Sequence, residues 1–137
     1  MFDFVGFQSG AVAFLLAFVV AGLFTLAFKV VYQLITPYQE KALIRQGNVA
    51  AAVTLAGALI GYVLPLASAL SHTVSLAEFS AWAALAGVIQ IAAFALVRVI
   101  ALPDVKARIE NGEVSVAIYL AGISIAVGLL NAACMTS

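Results

Sequence analysis

With 137 residues, 66% of them hydrophobic and 9% charged, and a mean hydropathy of +1.20, the chain has too little polar side-chain surface to coat a soluble globule. Six basic and six acidic residues cancel, which excludes an overall field that would draw nucleic acid. A single cysteine, Cys134, excludes an internal disulfide, and no Cys/His group has metal-ligand spacing, so neither a metal nor any other cofactor is expected.

The apolar residues come in four long blocks without the alternation of a β-barrel, and a helix needs about 20 residues to cross a hydrocarbon core of about 30 Å. The first span is expected over residues 10–34, preceded by no basic n-region and too long for a removable signal, hence retained. A connection over 37–47 begins with Pro37 and ends with Gly47, and carries Lys41 and Arg45. The second span covers 49–70, with Pro65 in its outer third. A short connection holding His72 and Glu78 leads to the third span, 79–102. The connection 103–112, from Pro103 to Gly112 with Lys106 and Arg108, precedes the fourth span, 114–135. Both Pro-to-Gly segments read as short interfacial helices, since Pro suits a first turn and Gly follows a last one. Their isoleucines, Ile44 and Ile109, are expected to face lipid or core.

All six basic residues, Lys29 and Arg98 included, fall in or beside the first and third connections. The positive-inside rule then puts those connections in the cytoplasm and both termini in the periplasm. Trp82 near one surface and Tyr32 and Tyr38 near the other suit an aromatic belt.

A shift of 65 residues lays Lys41, Ala42, Ile44 and Gly47 on Lys106, Ala107, Ile109 and Gly112, and over 41–64 it gives eleven identities in 24 positions. Hydrophobicity alone does not impose a lysine followed six residues later by a glycine at the start of a span. In the first and third spans the same shift pairs Phe14, Ala21, Gly22 and Ala27 with Phe79, Ala86, Gly87 and Ala92. The expected fold is an all-α membrane four-helix bundle, one domain over 1–137, made of a parallel tandem repeat of a two-helix hairpin at about 10–70 and 79–135. Two spans per unit give both copies the same polarity, with a pseudo-twofold axis along the membrane normal.

Four polar residues lie inside the spans as repeat-related pairs: Thr25 with Gln90, and Thr54 with Tyr119. They either line a narrow polar path or bond between helices, because an unpaired polar group in hydrocarbon is costly. No carboxylate sits at the hydrophobic centre, which removes the usual group of a proton-coupled carrier. Gly57 and Gly61, with Gly122 and Ala126 at the matching positions, are the expected helix-packing residues. Lys41, Arg45, Lys106 and Arg108 are the candidate cytoplasmic contact residues, the structural alternative being plain capped turns. Near the outer surface, Asn131 and Cys134 read as a polar patch or, for the cysteine, an intermolecular disulfide, a buried small thiol being the commoner case. His72 and Glu78 read equally as partners or as residues of a solvated loop. No nucleophile has a base and an orienting group near it, so no catalytic site and no enzyme are expected.

Ile35-Thr36-Pro37 with Glu40, Gly47-Asn48, Pro65-Leu66, Gln90 and the run Gly128-Leu-Leu-Asn131-Ala-Ala-Cys134-Met135 together resemble the domain of unknown function family 350, the YjfL-like bacterial inner-membrane proteins, over nearly the whole chain. The resemblance implies a multi-span inner-membrane protein. Some family members are encoded near phage-shock-type membrane-remodelling proteins, which implies an envelope-associated role. The function expected is an oligomeric membrane scaffold or anchor in envelope maintenance, with lipid, further copies of itself and a cytoplasmic membrane-associated protein as partners. The alternative is a small channel or transporter with a polar path at a repeat or subunit interface.

Overall fold

The computed structural model describes residues 3–36, 39–73, 75–100 and 104–135, apart from the side chains of 98–100. Among the described residues six helices follow one another: α1 (Phe4–Ile35), α2 (Glu40–Arg45), α3 (Val49–His72), α4 (Leu76–Ile100), α5 (Val105–Glu110) and α6 (Val114–Cys134). The four long ones are long and apolar enough to cross a bilayer and overlap the four expected spans. Pro37, Tyr38, Pro103 and the side chain of Arg98, singled out above, lie outside the described part.

Local chemistry sets the helix ends. α1 starts at Phe4 rather than near residue 10, because the Asp3 carboxylate accepts the Gly6 N–H at 3.1 Å and caps an earlier turn. α4 likewise starts at Leu76, where the Ser75 hydroxyl accepts the Glu78 N–H at 3.1 Å. α2 and α5 both end in a Schellman turn. Gly47 (φ 84°) and Gly112 (φ 78°) take the left-handed position, and Asn48 N–H and Glu113 N–H reach back to the Leu43 and Arg108 carbonyls at 2.9 and 3.0 Å.

α3 and α6 form the centre and run in the same direction. Asn48 Nδ2 donates to the Ile109 carbonyl (2.8 Å) at one end, and Ser68 Oγ to the Ala132 carbonyl (3.1 Å) at the other. Between those bonds the backbones nearly touch. A Cβ added at Gly57 would collide with Ala121, one at Gly61 with the Ser124 carbonyl, and one at Gly128 with the Gly61 carbonyl. In lipid, where no hydrophobic effect drives helices together, this close approach supplies the dispersion contacts that hold them. Gly122 and Ala126, expected at this seam, lie on the exposed side of α6, and Gly122 has open space around it. The reason is rotational: α6 turns Ala117, Ala121, Ser124 and Gly128 toward α3, a face offset from the one that the 65-residue shift selects.

α2 and α5 lie at the same end of the bundle. Val105 and Ile109 are buried against Ala50 and Ala51, with Leu43 and Ile44 packed beside them.

α1 is the outlier. It packs on the rest through a ridge, Val20, Phe24, Phe28 and Tyr32, spaced one turn apart, with Ala21 beside it. Phe28 stacks on Tyr62 (centroids 4.4 Å, planes 11° apart), Phe24 meets Phe79 edge-on at 6.0 Å, and Tyr32 packs on Phe94 at 4.5 Å. Tyr32 is thus fully buried and no member of a surface belt, whereas Trp82 remains 39% exposed. Ala13, Leu16 and Ala17 stand level with Leu70, Thr73 and Phe79. Residues 4–12 therefore rise past the α3–α4 connection by about 14 Å at 1.5 Å per residue.

Gly128→Ala is expected to force α3 and α6 apart and destabilise the fold by about 1–3 kcal/mol, as overpacking does. Gly122→Ala should be neutral or slightly stabilising. Reversible unfolding of the two variants in mixed micelles checks the contrast.

Candidate functional site

Within the spans, the most constrained point is where α3, α4 and α6 meet. Pro65 has no N–H, so the Gly61 carbonyl lacks its usual partner within α3 and is pressed against Gly128 of α6. The missing side chains at both glycines permit this, and a Cα–H···O contact partly meets the carbonyl's need. From α4, Gln90 Nε2 donates to the Ser124 carbonyl at 3.3 Å, close to the Gly61 Cα. One turn outward, Asn131 Nδ2 of α6 donates to the Ala86 carbonyl of α4, also at 3.3 Å. Two side-chain amides thereby tie α4 to α6. The Gln90 Oε1 stays buried with no hydrogen-bond partner in the structure.

The other candidates for a polar path are placed elsewhere. Thr25 donates to the Ala21 carbonyl of its own helix (2.9 Å), on a different helix face from Gln90's junction. Thr54 is buried but donates to the Ala50 carbonyl one turn back (2.8 Å). Tyr119 points outward and is 52% exposed. These four side chains do not gather around one axis. Two hollows beside α1 within the spans are lined almost wholly by apolar side chains, among them Phe24, Phe28, Val31 and Ile91 in one and Phe18, Leu26, Val63 and Leu66 in the other.

The basic residues do gather at one end. Lys41 and Arg45 sit one turn apart on α2, and Lys106 and Arg108 lie on α5. Ile109 is buried and Ile44 half-buried, so the apolar side of each short helix faces the bundle and the charged side faces out. The two helices differ in charge balance. Arg108 Nε donates to Asp104 Oδ2 at 2.7 Å, and Glu110 and Glu113 are exposed nearby in sequence. On α2 the corresponding acid, Glu40, is buried. The hydrogen bond from Arg108 holds the Asp104 carboxyl below its usual range, and that same bond raises the guanidinium further.

At the opposite end, His72 Nδ1 lies 2.8 Å from the Ser68 carbonyl, and Glu78 belongs to the first turn of α4, so these two do not form the expected pair. Cys134 is exposed and in no disulfide, not the buried thiol that is the commoner case, while Asn131 turns inward toward α4. Among the described residues no group of three His, Cys, Asp or Glu side chains is arranged to hold a metal ion. Ser124 and Gly128 are the site residues the sequence reading passed over. The available signal was the four-residue spacing of Gly61 and Pro65, which marks a carbonyl freed within α3.

Arg108→Gln should let Asp104 titrate higher, toward an ordinary carboxylate. The lowered folded-state value means that the pair stabilises above the unfolded carboxylate pKa and is lost as pH falls through the folded one, weakly because water screens it. Carboxyl-carbon NMR on the wild type and the variant reads the shift directly.

Comparison with known proteins supplies the remaining evidence. The chain is 37% identical over 124 residues, 90% of its own length and 93% of the relative's, to the UPF0719 inner membrane protein YjfL of Escherichia coli strain K12. The protein of the same name from Escherichia coli O157:H7 matches to the same extent. No solved structure matches. Four apolar helices and an inner-membrane relative of nearly equal extent support a multi-pass inner-membrane protein. A family model described as Domain of Unknown Function (DUF350) matches residues 6–135, and the chain belongs to that family.

Proposed function

We propose that this protein is a non-catalytic membrane scaffold in envelope maintenance, built as a tandem pair of hairpins and working as a homo-oligomer. Its termini face the periplasm and the α2–α5 end faces the cytoplasm, where it meets a membrane-associated protein. One observation carries this reading. Lys41, Arg45, Lys106 and Arg108 share one end of a bundle whose inter-helix hollows in the spans are apolar. Among the described residues, charge is available at that surface, and the two hollows beside α1 within the spans are lined by none.

Two features support the tandem arrangement: the long–short–long order of helices occurs twice, and the same Schellman turn closes α2 and α5. A channel or transporter has less behind it. Of the four side chains proposed to line its path, only Gln90 retains a buried acceptor free, and the two threonines bond to their own helices.

The quadruple variant with Gln at Lys41, Arg45, Lys106 and Arg108 should lose a cytoplasmic partner that the wild type recovers by crosslinking and pull-down. Partner recovery unchanged in that variant would remove the contact surface. In liposomes the wild type should show no ion flux above protein-free vesicles, and Gln90→Leu should behave alike. Flux abolished by Gln90→Leu would revive the channel.

A further inference from the structure

Along α1, Gly22, Leu26, Lys29, Gln33 and Thr36 succeed each other at alternating steps of four and three residues and so share one face. This is not the aromatic ridge that packs on the bundle. At Gly22 and Leu26 the face borders an apolar groove of about 620 Å³, closed opposite by Val63 and Leu66 of α3. At Gln33 and Thr36 it borders a polar cleft of about 520 Å³, whose other wall is α2 with Lys41 and Arg45. From Gly22 to Thr36 is about 21 Å of helix, close to one leaflet's share of the hydrocarbon core plus its headgroup layer.

We propose that this face binds one anionic phospholipid of the leaflet at the α2 end. The phosphate lies against Lys41 and Arg45, with the Gln33 amide as a further donor. An acyl chain follows the aliphatic stem of Lys29 into the groove beside Gly22. Charge complementarity selects the headgroup. Three cations, Lys29, Lys41 and Arg45, stand on or beside this face, against Glu40 as the one acid lining the cleft. α5 offers no equivalent, because Asp104 occupies Arg108 and further carboxylates follow at Glu110 and Glu113. The groove selects for an attached chain, since a free phosphate has nothing to place there. The α2 cations are shared with the contact surface proposed above, but neither a protein partner nor the orientation is required.

Native mass spectrometry of detergent-purified protein with added phosphatidylglycerol or phosphatidylcholine of identical chains tests this. Phosphatidylglycerol should be retained about thirtyfold more than phosphatidylcholine, the size expected of two basic residues at a membrane surface. Lys41→Gln with Arg45→Gln should abolish the preference, and Lys106→Gln with Arg108→Gln should leave it intact. Gly22→Leu, introduced where a Cβ meets nothing, should fill the groove and lower phosphatidylglycerol retention without harming the fold. Inorganic phosphate should not displace the lipid. Equal retention of the two lipids, equal loss in the α5 variant, displacement by inorganic phosphate, or indifference to Gly22→Leu would each overturn the site. Partner recovery unchanged in the quadruple variant, with the lipid preference of the wild type intact, would instead count against the scaffold reading alone.

Discussion

The fold depends on how closely two backbones approach where lipid, not water, is the alternative neighbour. α3 and α6 touch through Gly57, which meets the Ala121 methyl, and through Gly61 and Gly128, where backbone meets backbone. In hydrocarbon the gain comes from dispersion and from satisfying polar backbone atoms, both of which fall off steeply with separation. Pro65 and Gly61 act as a unit here. The proline deprives a carbonyl of its partner inside α3, and the glycines let α6 come near enough to lie against it. Gln90 and Asn131 then fasten α4 to the same pair through amide-to-carbonyl bonds. Around this centre, α1 adds only an aromatic ridge.

That economy has a functional side. In the reading proposed above, a bundle whose hollows within the spans are apolar holds surfaces in place. The surfaces it holds are α2 and α5, clamped to the core by Val105, Ile109, Leu43 and Ile44, with their charges turned outward. The cationic helix and the charge-balanced helix sit at one end but offer a partner, or a lipid, different electrostatics.

Much of the architecture was legible in the sequence because burial in lipid leaves a coarse mark. Blocks of apolar residues located all four spans, and the Pro-to-Gly segments located both short helices, since a glycine at a left-handed turn position has few substitutes. The helix starts at Phe4 and Leu76 were missed because single capping side chains, Asp3 and Ser75, decided them. The seam was half legible. Gly57 and Gly61 sit at the close approach, but Gly122 and Ala126 face outward because a repeat in sequence fixes which residues correspond, not how each helix is rotated about its axis. Polar residues were the least legible, because a threonine in a helix can satisfy itself one turn back, as Thr25 and Thr54 do, and hydropathy carries no trace of that choice.

The extra turns at the start of α1 make the rim of the molecule uneven. A bilayer whose thickness suits α3 falls short of Phe4 and Phe7, which stand exposed beyond the level of the α3–α4 connection. On that flank alone, the leaflet at this end must thicken or the helix must lean. A deformation confined to one side of a small protein gives it a direction in the plane of the membrane. Two such flanks placed together disturb less lipid than the same flanks held apart.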